Sequence, residues 1–149
     1  MSNKPPKELL VEGPIPPEKL ATSVANHQSK TSIGAHSIFL GQVRADEVEG
    51  QRVAAIEFTA YHDMANAVYT EIREEAFAKY ELTCAHVYHS TGLIAVGELC
   101  FYVFTSSPRR KAAMEACEYF VEQIKARVPL FGKEIFEDQG HQWKTNTGG

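Results

Sequence analysis

Two features are missing from this sequence: a long apolar run near the N-terminus and an excess of positive charge. Residues 1–13 contain no apolar run as long as a signal peptide or membrane span requires, which predicts a cytoplasmic protein outside the membrane. The 15 basic and 19 acidic residues leave a formal net charge of −4. Because no basic excess is present to neutralise phosphates, general binding to nucleic acid is not expected.

Cysteine is also scarce, and its spacing argues against disulfide bonds. Cys84, Cys100 and Cys117 are an odd number without a CxxC pair, which predicts reduced thiols in a cytosolic setting. The segment CAHVYH places Cys84 and His86 on one face of a strand and His89 on the other. A tetrahedral metal site needs three or four convergent ligands, so core or hydrogen-bonding histidines are favoured. Neither a metal site nor another cofactor is expected.

The common nucleotide and serine-hydrolase motifs are absent as well. The sequence contains no GxGxxG, no P-loop and no GxSxG. Nucleotide-dependent and serine-hydrolase functions therefore lose support.

What the sequence contains fits one α+β domain. Its 149 residues, 44% apolar and 23% charged, are typical of a globular protein. Residues 8–146 are predicted to form the domain, between flexible ends at 1–7 and 147–149. The order ββαββαββ, after a short helix at 16–26, favours two long helices packed on mainly antiparallel strands. The strands are predicted at 34–44, 53–61, 83–92 and 98–107, with two short ones from about residue 133 onwards, and the long helices at 64–80 and 108–127.

The second long helix begins with an unusual cluster of cations. Ser107 is predicted as its N-cap and Pro108 as its first residue. Arg109, Arg110 and Lys111 then fall in the first turn, where the helix dipole disfavours positive charge. Either a phosphate or carboxylate binds there, or the turn is a solvated basic surface; the residues alone leave both interpretations open.

Three further cations are candidates for a site. Arg44 ends an apolar strand just before a polar loop, and Lys125 and Lys133 flank an apolar elbow at 128–131. Surface lysines usually extend their ammonium groups into water. An amine in apolar surroundings has instead a lowered pKa and can act as a base or nucleophile. Residue type does not decide between these two interpretations.

Several segments occur in an order that is specific in combination. Together they resemble the large, catalytic subunit of molybdopterin synthase over residues 34–146. The resemblance implies an α/β hammerhead fold with an added antiparallel sheet. The segments are FLGQVR (39–44), IEFTAYHDMA (56–65), HSTGLIAVGE (89–98), SSPRRKAAMEA (106–116), IKARVPLFGKEIFE (124–137) and WKTN (143–146).

The resemblance implies an enzyme of sulfur transfer in molybdenum cofactor biosynthesis. In that family, a ubiquitin-like small subunit carries sulfur as a C-terminal thiocarboxylate and inserts its Gly-Gly tail into a pocket of the large subunit. Two sulfurs pass in turn to cyclic pyranopterin monophosphate and form the dithiolene of molybdopterin. The expected assembly is a large-subunit homodimer with a small subunit at each end, a heterotetramer.

The same resemblance implies catalytic roles for two lysines. Lys125 falls on the family's central catalytic lysine, and Lys133 is expected to assist it. Family members usually have the second lysine at the position of Gly132, one place before Lys133. Gly132 and Glu134, which flank Lys133, are expected at the substrate.

The resemblance also implies an anion-binding set. Arg44 falls on a substrate-contacting arginine, with Gln42 nearby on the same strand face. Arg110 matches the arginine of a His-Arg pair, and Arg109 replaces its histidine. Arg110 and Lys125 lie on one predicted helix, about 22 Å apart at 1.5 Å per residue, so one small substrate cannot touch both. The expected site is therefore composite, with Arg109 and Arg110 supplied by the dimer mate.

Two other functions remain as alternatives. The chain could be a non-catalytic, anion-binding module that docks a ubiquitin-like partner. It could also be a sulfur carrier itself, through its terminal Gly148 and Gly149. Terminal glycines are more often simply frayed.

Overall fold

The structure is a computed structural model that describes residues 5–137 and 140–141. The predicted α+β class is confirmed, with both long helices and a mainly antiparallel sheet. None of the described helices is long and apolar enough to cross a membrane. In chain order the elements are β1 (Leu10–Glu12), α1 (Glu18–His27), β2 (Ala35–Gln42), β3 (Glu47–Val48), β4 (Gln51–Ala60), α2 (His62–Lys79), β5 (Cys84–Ala95), β6 (Leu99–Ser107), α3 (Arg110–Arg127), β7 (Leu130–Phe136) and β8 (Gly140–His141).

Strand β5 joins the two halves of the sheet. Its first half pairs with β6, where Tyr88 lies opposite Tyr102, and its second half pairs with β4, where Ile94 lies opposite Ile56. Gly92, with φ 91°, lies where β5 passes from one partner to the other, and residues with a Cβ rarely adopt this conformation. The strand order is β2-β6-β5-β4-β7-β8, with β1 parallel to β5 and β3 paired with β4.

Helices cover both faces of the centre of the sheet, which explains why β6 is buried at almost every position. Phe101 and Val103 face the core shared with α2 and α3, where Phe120 is fully buried. Tyr102 and Phe104 face the other way, toward α1. The alternation is that of an ordinary strand, with both sets of side chains buried. Each large apolar side chain removed from water in this way contributes about 1.5–3 kcal/mol.

The predicted start of α3 is wrong. Ser107 is the last residue of β6, paired with Ala35, and the helix begins at Arg110 rather than at Pro108. Arg109 is the N-cap residue, with extended backbone, and its N–H donates to Ser107 Oγ at 3.2 Å. The strand continues because the Ser107 carbonyl accepts a 2.9 Å hydrogen bond from the N–H of Gly34. Sheet pairing therefore overrides a good local N-cap sequence.

Two other boundaries also differ from the prediction. The segment 93–97 was expected as the turn before β6, but β5 runs to Ala95 because Leu93 and Ile94 pair with β4. Strand β7 begins at Leu130 rather than near Lys133, since its pairing with β4 starts directly after Pro129. Extended segments thus lengthen wherever a partner strand offers unpaired backbone groups.

Candidate functional site

The C-terminal end of α3 lies beside a cavity of about 720 Å³. The helix ends at Arg127 because Val128 adopts extended backbone before Pro129. The chain then returns to the sheet as β7, so the predicted apolar elbow forms one wall. Four of the predicted site residues line this cavity: Gln42, Arg44, Lys125 and Glu134.

Lys125 is exposed in the last turn of α3, where the helix dipole favours a cation. Its positive charge acts to lower the pKa of two buried groups on the cavity wall, His89 and Cys100. Burial raises the pKa of the Cys100 thiol, and the positive charge of Lys125 only partly opposes this effect. Cys100 is therefore a protonated thiol at neutral pH, a poor nucleophile.

His89 lines the cavity, and its buried, hydrogen-bonded ring agrees with the core or hydrogen-bonding role that the sequence favoured; it was not predicted as a site residue. Its ring is buried between Phe58 and Phe101, with centroid distances of 5.1 and 5.0 Å. Burial lowers the pKa of His89 to about 4, and the Lys125 charge acts in the same direction. Its Nδ1–H donates to the carbonyl of Ser90 at 2.9 Å, so the lone pair of the neutral imidazole is at Nε2. The sequence signal for this position was the alternation of side chains along the strand, which directs His89 to the opposite face from Cys84 and His86.

Arg44 is an exposed residue of the cavity lining, and its guanidinium is hydrogen-bonded to Asp46, two residues along the chain. Its Nε donates to Asp46 Oδ1 at 2.6 Å and its second guanidinium nitrogen to Asp46 Oδ2 at 3.2 Å. This two-point contact raises the pKa of Arg44 further above its ordinary value. An anion that binds Arg44 must share or displace the Asp46 carboxylate, and the exposed position makes the exchange inexpensive.

The predicted site residues on β7 lie on opposite faces of the strand, because side chains alternate along it. Gly132 and Glu134 lie opposite Phe58 and Ile56 of β4, and Glu134 faces the cavity. Lys133 points to the other face, where its Nζ lies 3.1 Å from Glu57 Oε1. The structure therefore places Gly132, not Lys133, on the cavity side of the strand.

Arg109 and Arg110 are not brought to this cavity. Both are exposed at the start of α3, beside the end of the sheet where Ala35 pairs with Ser107. Gln42 and the cavity lie at the opposite end of β2. A single chain thus carries two cationic groups at opposite ends of α3.

The fold and this cavity define an α+β protein whose site, with an exposed amine, an exposed guanidinium and a neutral buried imidazole, is suited to an anionic ligand. The family model described as "MoaE protein" matches residues 10–127. The chain therefore belongs to the MoaE family, and the resemblance found in the sequence is confirmed.

Curated relatives make the identification more specific. The chain is 38% identical over 134 residues to the molybdopterin synthase catalytic subunit of Bacillus subtilis (strain 168), covering 90% of this chain and 82% of that one. It is 37% identical to the subunit of the same name from Pyrococcus abyssi, covering 77% and 76%. The match to that of Oryza sativa subsp. indica is 37%, over 81% of this chain and 62% of the longer rice protein. Within its family, the chain thus groups with molybdopterin synthase catalytic subunits, which are enzymes.

Solved structures agree with the fold. Molybdopterin synthase from Staphylococcus aureus superposes with a TM-score of 0.77 at 30% identity, covering 93% of this chain and 97% of that one. A protein–protein complex of subunits 1 and 2 of molybdopterin-converting factor from Helicobacter pylori contains a chain that superposes with a TM-score of 0.74 at 18% identity, covering 91% and 93%.

Proposed function

We propose that the cavity beside Lys125 is the place where this chain transfers sulfur from the C-terminal thiocarboxylate of a ubiquitin-like small subunit to cyclic pyranopterin monophosphate. The observation that carries this proposal is the convergence of Lys125, Arg44, Gln42 and Glu134 in one cavity. Two transfers, each consuming one thiocarboxylate, give the dithiolene of molybdopterin. The names of the relatives support this reaction for the chain.

The chemistry explains why an amine is needed at the cavity. Attack of the thiocarboxylate sulfur on a side-chain carbon of the pterin forms a carbon–sulfur bond and breaks a carbon–oxygen bond of that carbon, and the carrier is then held as a thioester. Water must then add to the acyl carbon and the bond between acyl carbon and sulfur must break, which leaves sulfur on the pterin and a carboxylate on the carrier. The tetrahedral intermediate carries an oxyanion, and the ammonium of Lys125 stabilises that charge or transfers the proton.

The anion-binding residues support a site shared between two subunits. Arg44 would hold the substrate phosphate on the Lys125 side, and Arg109 and Arg110 would come from the dimer mate. Strand β2 is an edge strand with Ile38 and Leu40 exposed, an apolar surface suited to a second copy. The proposed assembly is a homodimer with one small subunit on each catalytic subunit.

The small subunit would dock on the side of the elbow away from the cavity lining, where apolar side chains are exposed. Tyr61 and Phe131 are exposed there and contact each other edge to face, with ring centroids 5.7 Å apart. The exposed Leu93 lies opposite Glu57 on the neighbouring strand pair, within the same half of the sheet. A Gly-Gly tail has no side chains, so it can pass along the elbow toward Lys125 without steric conflict.

The decisive experiment is an assay with thiocarboxylated small subunit and cyclic pyranopterin monophosphate. Lys125→Ala is expected to lower turnover by about 10²–10³-fold, as removal of an oxyanion-stabilising group does. Lys79→Ala, which removes an exposed lysine at the end of α2, is the matched control and is expected to retain turnover. Turnover of Lys125→Ala equal to that of the control would reject the proposed site.

The same assay separates the alternatives. A non-catalytic module would bind the small subunit and yield no molybdopterin. A sulfur carrier would lose activity when Gly148 and Gly149 are deleted, whereas the proposed enzyme would change little; these two glycines lie outside the described residues.

The cysteines support a location in the cytoplasm. All three are described, and each is buried and free of disulfide bonds, which is typical of a reducing, cytoplasmic compartment.

A further inference from the structure

A second group of ligating side chains lies across the sheet from the cavity. His27, the last residue of α1, packs against β5 and meets Cys84 and His86 on the face that α1 covers. The Nε2 atoms of the two histidines are 3.1 Å apart, and one ligand atom from each of the three residues lies within 4.8 Å of the others. The spacing CAHVYH alone argued against a metal, because the third ligand comes from 57 residues earlier in the chain.

The hydrogen bonds fix the orientation of the His27 ring. Its Nδ1 lies 2.7 Å from the carbonyl oxygen of Ser23, and a carbonyl can only accept, so Nδ1 carries the proton. The lone pair of neutral His27 is then on Nε2, where it accepts a hydrogen bond from Nε2–H of His86 that a bound ion would replace. Metal-bound histidines typically donate their second N–H to a backbone carbonyl in this way, which sets the tautomer before the ion binds.

The distances are close to those of a zinc site. Two imidazole nitrogens at about 2.0–2.1 Å from a tetrahedral Zn²⁺ are separated by about 3.3 Å, and a thiolate sulfur and a nitrogen by about 3.6 Å. The observed nitrogen pair nearly matches, and the widest separation in the group exceeds the ideal by roughly 1 Å. Two imidazoles and one thiolate form a ligand set that suits zinc better than magnesium or calcium.

The surroundings of the group are protected but accessible on one side. His27 and Cys84 are each 7% exposed, and Phe104 packs on the His27 ring with centroids 5.1 Å apart. Lys30 is exposed, and its Nζ donates to Cys84 Sγ at 3.0 Å. Its flexible stem lets the ammonium move into water when a dication approaches the sulfur.

We propose that His27, Cys84 and His86 bind one Zn²⁺ ion, with water as the fourth ligand. The ion would connect the C-terminal end of α1 to the first residues of β5, and so fix α1 on the sheet. This site is separated from Lys125 by the sheet itself. Its failure in a test would leave the proposed sulfur transfer unaffected, and the reverse also holds.

The test is metal binding by the chelator-treated full chain. Titration with Co²⁺ is expected to give a thiolate-to-metal charge-transfer band and the visible bands of tetrahedral cobalt, at one ion per chain. Zn²⁺ should displace Co²⁺ and abolish both. Competition with a chromophoric chelator should show that Cys84→Ser and His86→Gln each lower the Zn²⁺ affinity by at least about 10-fold. His62→Ala is the matched control, because His62 is exposed and paired with Asp63 away from this group.

A second readout does not depend on spectra. Zn²⁺ should raise the melting temperature of the wild type and of His62→Ala, and leave that of His86→Gln unchanged. His86 is only half-buried, so this variant is expected to fold even if Cys84→Ser does not. The proposal is overturned if the wild type shows no thiolate-to-cobalt band, or if His86→Gln binds Zn²⁺ as tightly as the control.

Discussion

Lys133 and Glu57 face each other across paired strands, with Nζ 3.1 Å from Oε1, on the side of β7 that does not line the cavity. The side chain of Lys133 is only 14% exposed, so the ammonium is held in place. The contact directs one of the two amines implied as catalytic toward β4, while Lys125 remains at the cavity. The two lysines therefore have different expected mutational effects.

Lys133→Ala is expected to lower turnover by less than about 10-fold, compared with the 10²–10³-fold loss expected for Lys125→Ala. A double-mutant cycle with Glu57→Gln, followed by urea unfolding, should give a coupling of about 0.2–1 kcal/mol for the pair. Equal losses of turnover for the two lysine variants would show that Lys133 acts in the reaction, as the family resemblance implied, and turns toward the cavity in the complex.

The composite site predicts complementation between inactive subunits. A mixed dimer of Arg110→Ala and Lys125→Ala subunits contains one site with both residues intact, so it is expected to recover about half of the wild-type turnover per dimer. Arg44→Ala mixed with Lys125→Ala is the control, because both residues line the same cavity and each site keeps one defect. Activity should be measured on purified, differently tagged mixed dimers. Recovery in the control pair, or none in the first pair, would contradict a site shared in this way.

The shifted pKa values of His89 and Glu75 are expected to make the protein less stable in acid, each over its own pH range. The pKa of His89 is about 4 in the fold and ordinarily 6.5, so the unfolded chain binds more protons below pH 6.5. Stability is therefore expected to fall as the pH drops from 6.5 to about 4, by up to about 1.4 kcal/mol per pH unit. Urea unfolding at several pH values should show this slope in the wild type and a smaller one in His89→Gln, where His36 and His86, whose pKa values burial also lowers, still contribute. An unchanged slope in the variant would assign it to other groups.

Glu75 acts at lower pH. Hydrogen bonds from Arg127 and Tyr119 lower the pKa of Glu75 from 4.5 to about 2. The stabilisation is present above pH 4.5 and is lost as the pH falls toward 2. Glu75→Gln is expected to flatten this part of the curve while leaving the His89 range intact. Because the side chains of Arg127 and Glu75 are 32% and 42% exposed, 1 M NaCl should reduce the effect, and a salt-independent slope would argue against this assignment.

The Cys100 thiol tests an alternative route, in which a persulfide formed on this chain by a separate sulfane-sulfur donor supplies the sulfur. It lines the cavity, but burial raises its pKa and disfavours the thiolate that such a route requires. Cys100→Ala is expected to keep turnover within about threefold of the wild type, because the sulfur arrives on the partner. A loss as large as that of Lys125→Ala, with the fold verified by circular dichroism, would favour the persulfide route.

Most of the architecture could be predicted because its signals are local. The apolar period of the two long helices and the proline after Val128 fix their identity and the end of α3. The start of α3 could not be predicted, because Ser107 satisfies the local N-cap pattern while its carbonyl is used by the distant Gly34. Non-local backbone pairing decides such a boundary, and the local sequence carries no record of it.

The family resemblance implied Lys125, Arg44 and Lys133 at one site, and the structure brings only the first two to the cavity, for a geometric reason. Strand side chains alternate, so the direction of Lys133 depends on the register of β7 against β4. Lys133 and Gly132 are adjacent in sequence and lie on opposite sides of the strand. The proximity of His27 to His86 was equally hidden, because it depends on how α1 crosses the sheet.

The continuity of β5 limits how this protein can change in length. One uninterrupted strand presents His86 to α1, His89 to the cavity and Leu93 to the surface proposed for the small subunit. Insertion of a single residue near Tyr88 would exchange the two faces for the residues beyond it, so the positions of His89 at the cavity and of Leu93 on the proposed docking surface would be lost together. Evolution can therefore substitute side chains along β5 one by one, whereas insertions and deletions should be confined to connections such as the short β3–β4 hairpin.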